Sequence, residues 1–191
     1  MPNINKGHET ATIDCAMIVL TTEEDTPRVI GTDTGTKIAV EADIDQQDGI
    51  KLIIKGTLKA QKTEKVTITG HTITLTDNMT ILELIEILQG GTLVKDETTG
   101  KITSYTPPVS GTAYKPTKFK MEVYSAIYDQ ADIVGYEKIT YPGCEGQPVA
   151  LGSEDDVFRV TDYTIKSAPG AGQAPYRIDY VEELPTLVDP A

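Results

Sequence analysis

Residues 66–93, VTITGHTITLTDNMTILELIEILQGGTL, set a short helix directly against a segment that alternates like β-strand, and the pairing of the two decides the fold. In VTITGHTITLT (66–76), Val66, Ile68, Ile73 and Leu75 are apolar and threonines fill the places between them. A period of two is the mark of a strand with one buried face. Gly70–His71 reads as a two-residue loop of a hairpin that pairs Ile68 with Ile73 and Val66 with Leu75, glycine suiting the first position of a type II′ turn.

The apolar residues then close up. Met79, Ile81, Leu82, Leu84, Ile85, Ile87 and Leu88 are broken only by Thr80, Glu83 and Glu86, which predicts a helix over about 79–89. Asp77, Asn78 or Thr80 serves as its cap, Thr80 and Glu83 have capping-box spacing, and Gly90–Gly91 ends it. So short a helix is marginal alone. Burial of these side chains supplies on the order of 10 kcal/mol as an upper bound. The helix is expected to cap the open end or flank of a β-sandwich. Its apolar circumference is wider than one sheet covers, which leaves some of that face for another subunit.

Working outward, most of the chain alternates. Ala11, Ile13, Cys15 and Met17 share one face of a first strand, after an arm at residues 1–8. TTEEDTPRVIGTDTGT (21–36) reads as an acidic surface loop. In KIAVEADID (37–45), Ile38, Val40, Ala42 and Ile44 point inward. After QQDG, the segment IKLIIKGTLKAQ (50–61) puts Leu52, Ile54 and Leu58 on one face and Lys51, Lys55 and Lys59 on the other. These two segments form a predicted long hairpin, acidic on one arm and basic on the other, with charges paired across the strands. A hairpin follows at 93–105, a Pro/Gly loop with Pro107 and Pro108 at 106–116, and a strand at 118–128. Further strands are expected near 135–141, 157–166 and 175–182, separated by PGCEGQP and SAPGAGQAP. The predicted organisation is an arm and first strand (1–20), an acidic loop (21–35), one mainly β domain (36–185) and a tail (186–191). Its fold class is an antiparallel β-sandwich or half-barrel with one flanking helix.

Composition narrows the function. Apolar residues make up 39% of 191, below the roughly 45–50% of ordinary globular chains. The net charge of −12 repels polyphosphate and argues against specific nucleic-acid binding. It is unevenly spread: residues 51–126 hold ten lysines against seven acids, whereas residues 23–50 hold eight acids against Arg28 and Lys37. Such a division is usually solubility, or else a subunit whose acidic and basic surfaces meet on neighbouring copies. MPNINKGHET lacks the apolar region of a secretory signal, and no apolar run approaches the ~18 residues of a membrane helix. Cys15 and Cys144 are too few for a disulfide framework, so free thiols in a reducing cytoplasm are expected.

A catalytic constellation is missing. His8 and His71 lie near no nucleophile motif, and Cys144 in YPGCEG has no neighbouring base. Asp43, Asp45 and Asp48 in DIDQQDG are spaced like a calcium loop, but Gly49 falls one place late and no glutamate closes it. SEDD (153–156) reads as a solvated turn, and Tyr176 and Tyr180 beside Ile178 read as core. No catalytic, cofactor-binding or metal-binding residue is assigned, and no enzyme activity is expected.

HTITLTDNMTILELIEILQGGTL resembles the hairpin, helix and Gly-Gly ending of the major tail protein, or tail tube protein, of tailed bacteriophages. GYEKITYPGCEGQPVALGSEDDVFRVTDYTIKSAPGAGQAPYRIDYVEELP is similar to the C-terminal part of that family, so the likeness spans about 36–185. The length of the chain favours the long, non-contractile tail type. The resemblance implies two packed antiparallel sheets with a flanking helix, in a homo-oligomer of hexameric rings stacked into a tube. It implies a virion protein assembled in the host bacterial cytoplasm, with tape measure and terminator proteins as partners. DNA would pass transiently through an acidic conduit without specific binding, and no membrane insertion is implied. The expected assembly residues are Met79, Ile81, Leu82, Leu84, Ile85 and Leu88 of the helix, Lys51, Lys55 and Lys59, and Pro107 and Pro108. A β-sandwich binding module for a host surface or carbohydrate, or another tail- or capsid-associated virion protein, would share much of this pattern.

Overall fold

A computed structural model describes residues 9–188; the expected N-terminal arm (1–8) and the last three residues of the tail lie outside them. The strands are β1 (Ala11–Thr22), β2 (Val29–Thr32), β3 (Gly35–Gln47), β4 (Ile50–Ile54), β5 (Thr57–Lys62) and β6 (Lys65–Asp77). Helix α1 (Leu82–Gln89) follows, then β7 (Thr92–Lys95), β8 (Ile102–Thr106), β9 (Phe119–Asp129), β10 (Asp132–Gly146), β11 (Thr161–Ser167) and β12 (Arg177–Val181). The main sheet is antiparallel in the order β2-β1-β9-β10-β11-β6-β3, with β12 also pairing β10. β4–β5 and β7–β8 are separate two-stranded sheets. The main sheet curls without closing into a barrel. The end strand β3 approaches β1, next to the other end, at Gly35, where a Cβ would lie 3.0 Å from Ile18 Cδ1. The fold is the expected mainly β sandwich or half-barrel with a single helix.

Alternation in the body is real burial. Phe119, Met121 and Val123 of β9, Ile73 and Leu75 of β6, and Tyr163 and Ile165 of β11 meet inside the curl. Helix α1 fills the open side with Leu84, Ile85, Ile87 and Leu88, all buried. Its approach requires glycine at 146: a Cβ there would lie 2.3 Å from Leu88 Cα. Three polar contacts fix the helix start. Ile81 N donates to Tyr163 Oη at 3.2 Å, and the buried Asp77 carboxylate accepts from Met79 N at 2.8 Å and Thr34 Oγ1 at 2.7 Å. The helix begins later than the sequence predicted, at Leu82, and its N-cap, Ile81, makes no side-chain cap bond. Asp77 is drawn instead to the β2–β3 turn, where Thr32 Oγ1 also donates to it at 3.1 Å. Gly90 ends the helix at φ 77°, donating to Glu86 O at 2.8 Å.

Several sequence expectations are corrected. Residues 66–76 are no hairpin: β6 runs unbroken from Lys65 to Asp77 and pairs with β3 on one side and β11 on the other. His71 is therefore a buried strand residue, with its ring 5.6 Å from Tyr141 and 5.5 Å from Tyr176. Gly70 is required by closeness rather than by a turn, since a Cβ there would lie 2.1 Å from Ser167 O. β3 pairs with β6 and not with residues 50–61, so its acids do not face the lysines. Segment 50–61 is itself split at Lys55 and Gly56 into β4 and β5. In β1 the register shifts between Ile13 and Met17, with Asp14 at φ 65°, so Ile13 is exposed while Met17 and Val19 enter a second small core with Tyr124. The acidic loop at 21–36 contains β2, and PGCEG, expected as a separator, completes β10.

Candidate assembly surface

The β3–β6 ribbon carries one apolar face along its length. Directly opposed residues share a face, and the ribbon pairs Ile38 with Leu75, Val40 with Ile73 and Ile44 with Ile68. The register shifts between Asp43 and Ile44, leaving Thr69 as the extra residue of a bulge, its Oγ1 donating to Asp43 O at 3.0 Å. The bulge keeps Val66 and Ile68 on the same side as Ile73 and Leu75. Cover does not follow. Ile73 and Leu75 are 0% exposed, whereas Ile68 is 49% and Ile44 55% exposed. β11 explains the change: its pairing with β6 ends at Ser167 and His71, and beyond that point the ribbon leaves the body.

The projecting ribbon continues into the β4–β5 hairpin, which among the described residues pairs only within itself. Every residue of β4 and β5 is exposed, including Ile50, Leu52, Ile53, Ile54 and Leu58. Lys55 and Gly56 turn the chain at φ 48° and 78°. Lys51 and Lys59 flank this tip, and Lys51, Lys55 and Lys59 make no ion pair among the described residues. Lys55 belongs to the turn rather than to a strand face, as the sequence had placed it.

The other expected assembly residues divide. Leu84, Ile85 and Leu88 are consumed by the chain's own core; Ile81 and Leu82 pack partly against it, and only Met79 is exposed. The two helix glutamates are also engaged, Glu86 with Arg28 at 2.9 Å and Glu83 with Lys95 at 3.4 Å. Pro107 is exposed and Pro108 half-buried in the loop before β9. Sequence reasoning missed two apolar patches. Tyr176, Ile178 and Tyr180 around β12 are exposed, not core, because β12 lies outermost against β10. Leu151, Val157, Phe158 and Val160 line the exposed loop before β11, with Phe158 94% exposed. The acids of SEDD directly precede Val157 and Phe158, a juxtaposition visible in the sequence.

A groove of about 950 Å³ lies between β2, α1 and residues 185–188. Leu187 packs so closely on Gly31 that a Cβ there would lie 2.4 Å from its Cδ2. Among the described residues, no three His, Cys, Asp or Glu side chains converge to hold a metal. Asp43 and Asp45 lie on the extended strand β3, and Asp43 accepts from Thr72 Oγ1 at 3.1 Å. Burial pushes the Cys144 thiol up to about 12 and that of Cys15 up to about 11, so neither is a ready nucleophile. No described helix is long and apolar enough to cross a membrane.

No family model and no curated protein matches the chain. Among solved structures, it is similar to a chain of the anti-feeding prophage baseplate, a sixfold-symmetrised cryo-electron microscopy structure. The identity is 7% and the TM-score 0.40, over 93% of this chain and 97% of that one. A likeness at that level carries no argument about activity or assembly.

Proposed function

We propose that this chain is a non-catalytic structural subunit that assembles with copies of itself, and that the assembly is a bacteriophage tail tube. The observation that carries self-assembly is the β3–β6 face, whose apolar row continues from the packed core onto an arm that nothing among the described residues covers. Covering a half-exposed Ile or Leu contributes on the order of 1 kcal/mol, so the five apolar residues of β4 and β5 together contribute several. One such contact is weak once the cost of association is set against it; a ring gives each subunit two, and stacked rings add more.

The tail tube reading rests on the resemblance of residues 71–93 and 135–185 to major tail proteins; of the first stretch the helix and its Gly-Gly ending stand in the structure, and the hairpin does not. On this reading the rings are hexameric and the protein belongs to the virion, built in the host cytoplasm alongside tape measure and terminator proteins. The net charge of −12 suits a bore through which DNA slides, because an acidic wall does not hold the polymer by releasing its counterions. Joining sheet edges around a ring would also cover β2 and β3, the edge strands at the two ends of the main sheet's path.

The test is negative-stain microscopy and light scattering of purified protein up to about 1 mM, a range in which even weak contacts populate. Rings or tubes are expected. A chain that remains monomeric throughout sinks the proposal.

A further inference from the structure

We propose that the basic arm of one copy seats on the acidic, apolar loop 151–160 of another, which deepens the self-assembly reading and rests on it. The arm stands against the charge of the rest of the molecule. Residues 50–65 carry Lys51, Lys55, Lys59, Lys62 and Lys65 against Glu64 alone, in a chain of net charge −12. None of the five lysines is in an ion pair among the described residues, and Glu64 is engaged by Gln46 Nε2. Beside and between the lysines lie the exposed Ile50, Leu52, Ile53, Ile54 and Leu58.

The loop is the complement in both respects. Glu154, Asp155 and Asp156 have no cationic partner among the described residues, and they lead straight into the exposed Val157 and Phe158. The loop's own cation is spent within it: Arg159 Nε donates to Gly152 O at 2.8 Å and its Nη2 to Ser153 Oγ at 2.7 Å. That staple holds the loop in shape while leaving its carboxylates free. A Phe held 94% exposed is surface set out for cover, and a basic apolar hairpin covers the aromatic ring and the acids together.

Arm and loop are both exposed in the same molecule, so the arm does not cover its own loop; the partner is a second copy. Two different patches meeting between identical chains make a head-to-tail contact. Such a contact closes into rings or runs on as a filament, whereas a self-complementary patch stops at a dimer. Opposite charges across it set its register and reject arm-to-arm docking.

Charge reversal tests the pairing. One variant carries Lys51→Glu, Lys55→Glu and Lys59→Glu; another carries Glu154→Lys, Asp155→Lys and Asp156→Lys. Each alone should raise the protein concentration needed for assembly by about tenfold or more. An equimolar mixture should restore assembly, since each variant's arm then meets an opposite loop on the other. A Leu58→Cys, Phe158→Cys chain keeps the proposal falsifiable should a reversal variant fail to fold: mild oxidation should give an inter-chain disulfide ladder. Wild-type assembly with no ladder, or loop reversal that leaves assembly unchanged, overturns the arm–loop contact while self-assembly stands. A wild-type chain that never associates overturns both.

Discussion

β6 belongs to two regions that its sequence does not distinguish. From His71 to Asp77 it lies between β3 and β11 with helix α1 above, and its apolar residues are buried. From Lys65 to Thr69 it pairs with β3 alone, and Val66 and Ile68 stand half in water. Both stretches have the same residue types, the same period and the same partner strand. They differ in what lies across the face. Alternation is a property of the strand, whereas burial is a property of a third element, and only the structure shows where β11 stops. The body reads as a finished core; the arm reads as half of one.

The comparison breaks most sharply under one substitution made twice. Ile73→Ala empties a fully buried site and should cost about 3 kcal/mol of unfolding free energy, read by urea denaturation. Ile68→Ala, five residues away on the same strand, should change the stability of the dilute monomer by about 0.5 kcal/mol or less. Equal losses at the two positions would mean that the arm is already covered in solution.

Alkali probes the same division through ionisable groups. Cys144 and Cys15 belong to the body, and burial raises both thiols, to about 12 and about 11; it also raises the phenols of Tyr141 and Tyr163. A group whose folded value lies above its unfolded one favours folding fully below the unfolded value. That contribution fades as pH climbs from the ordinary thiol range near 9 toward the folded value. At about pH 10.5 Cys144 alone should cost the body about 2 kcal/mol relative to neutral pH. Urea titrations at the two pH values check this, and Cys144→Ala should shrink the difference by about that amount while the share of Cys15 and the two phenols remains. The arm holds none of these groups, so its own amide exchange, corrected for the intrinsic pH dependence, should stay unchanged.

What the sequence made legible follows from the same physics. The helix and the strand at 118–128 were plain because their periodicity is closed by the chain itself. The supposed hairpin at Gly70 shows why the rest was not. A two-residue turn and a one-residue bulge both carry the apolar pattern across an odd gap, from Ile68 to Ile73, so spacing cannot choose between them. The choice was made by Ser167, far along the chain, whose carbonyl occupies the space beside Gly70. The helix was misjudged in the other direction. Its wide apolar surface suggested a second subunit, but β10 closes on it at Gly146 and the core takes Leu84, Ile85, Ile87 and Leu88, leaving Met79 exposed. The exposed Phe158 lay within a segment read as strand; the chain instead delays β11 until Thr161 and leaves the aromatic in water.

The smallest expected effect sharpens the comparison most, because it should appear in one region alone. Lys55 and Gly56 both lie at positive φ, the geometry of a type I′ turn, in which asparagine is far easier to accommodate than lysine. Lys55→Asn should therefore stabilise the hairpin by about 0.5 kcal/mol, by relieving backbone strain rather than by adding a contact. If β4–β5 is a local unit that opens without the body, the gain should slow hydrogen exchange at the amides of 50–62 about twofold, with the global urea midpoint unmoved. A rise in the global midpoint would mean that arm and body unfold as one. The arm would then be a rigid extension of the core rather than a hairpin that settles when it meets a partner.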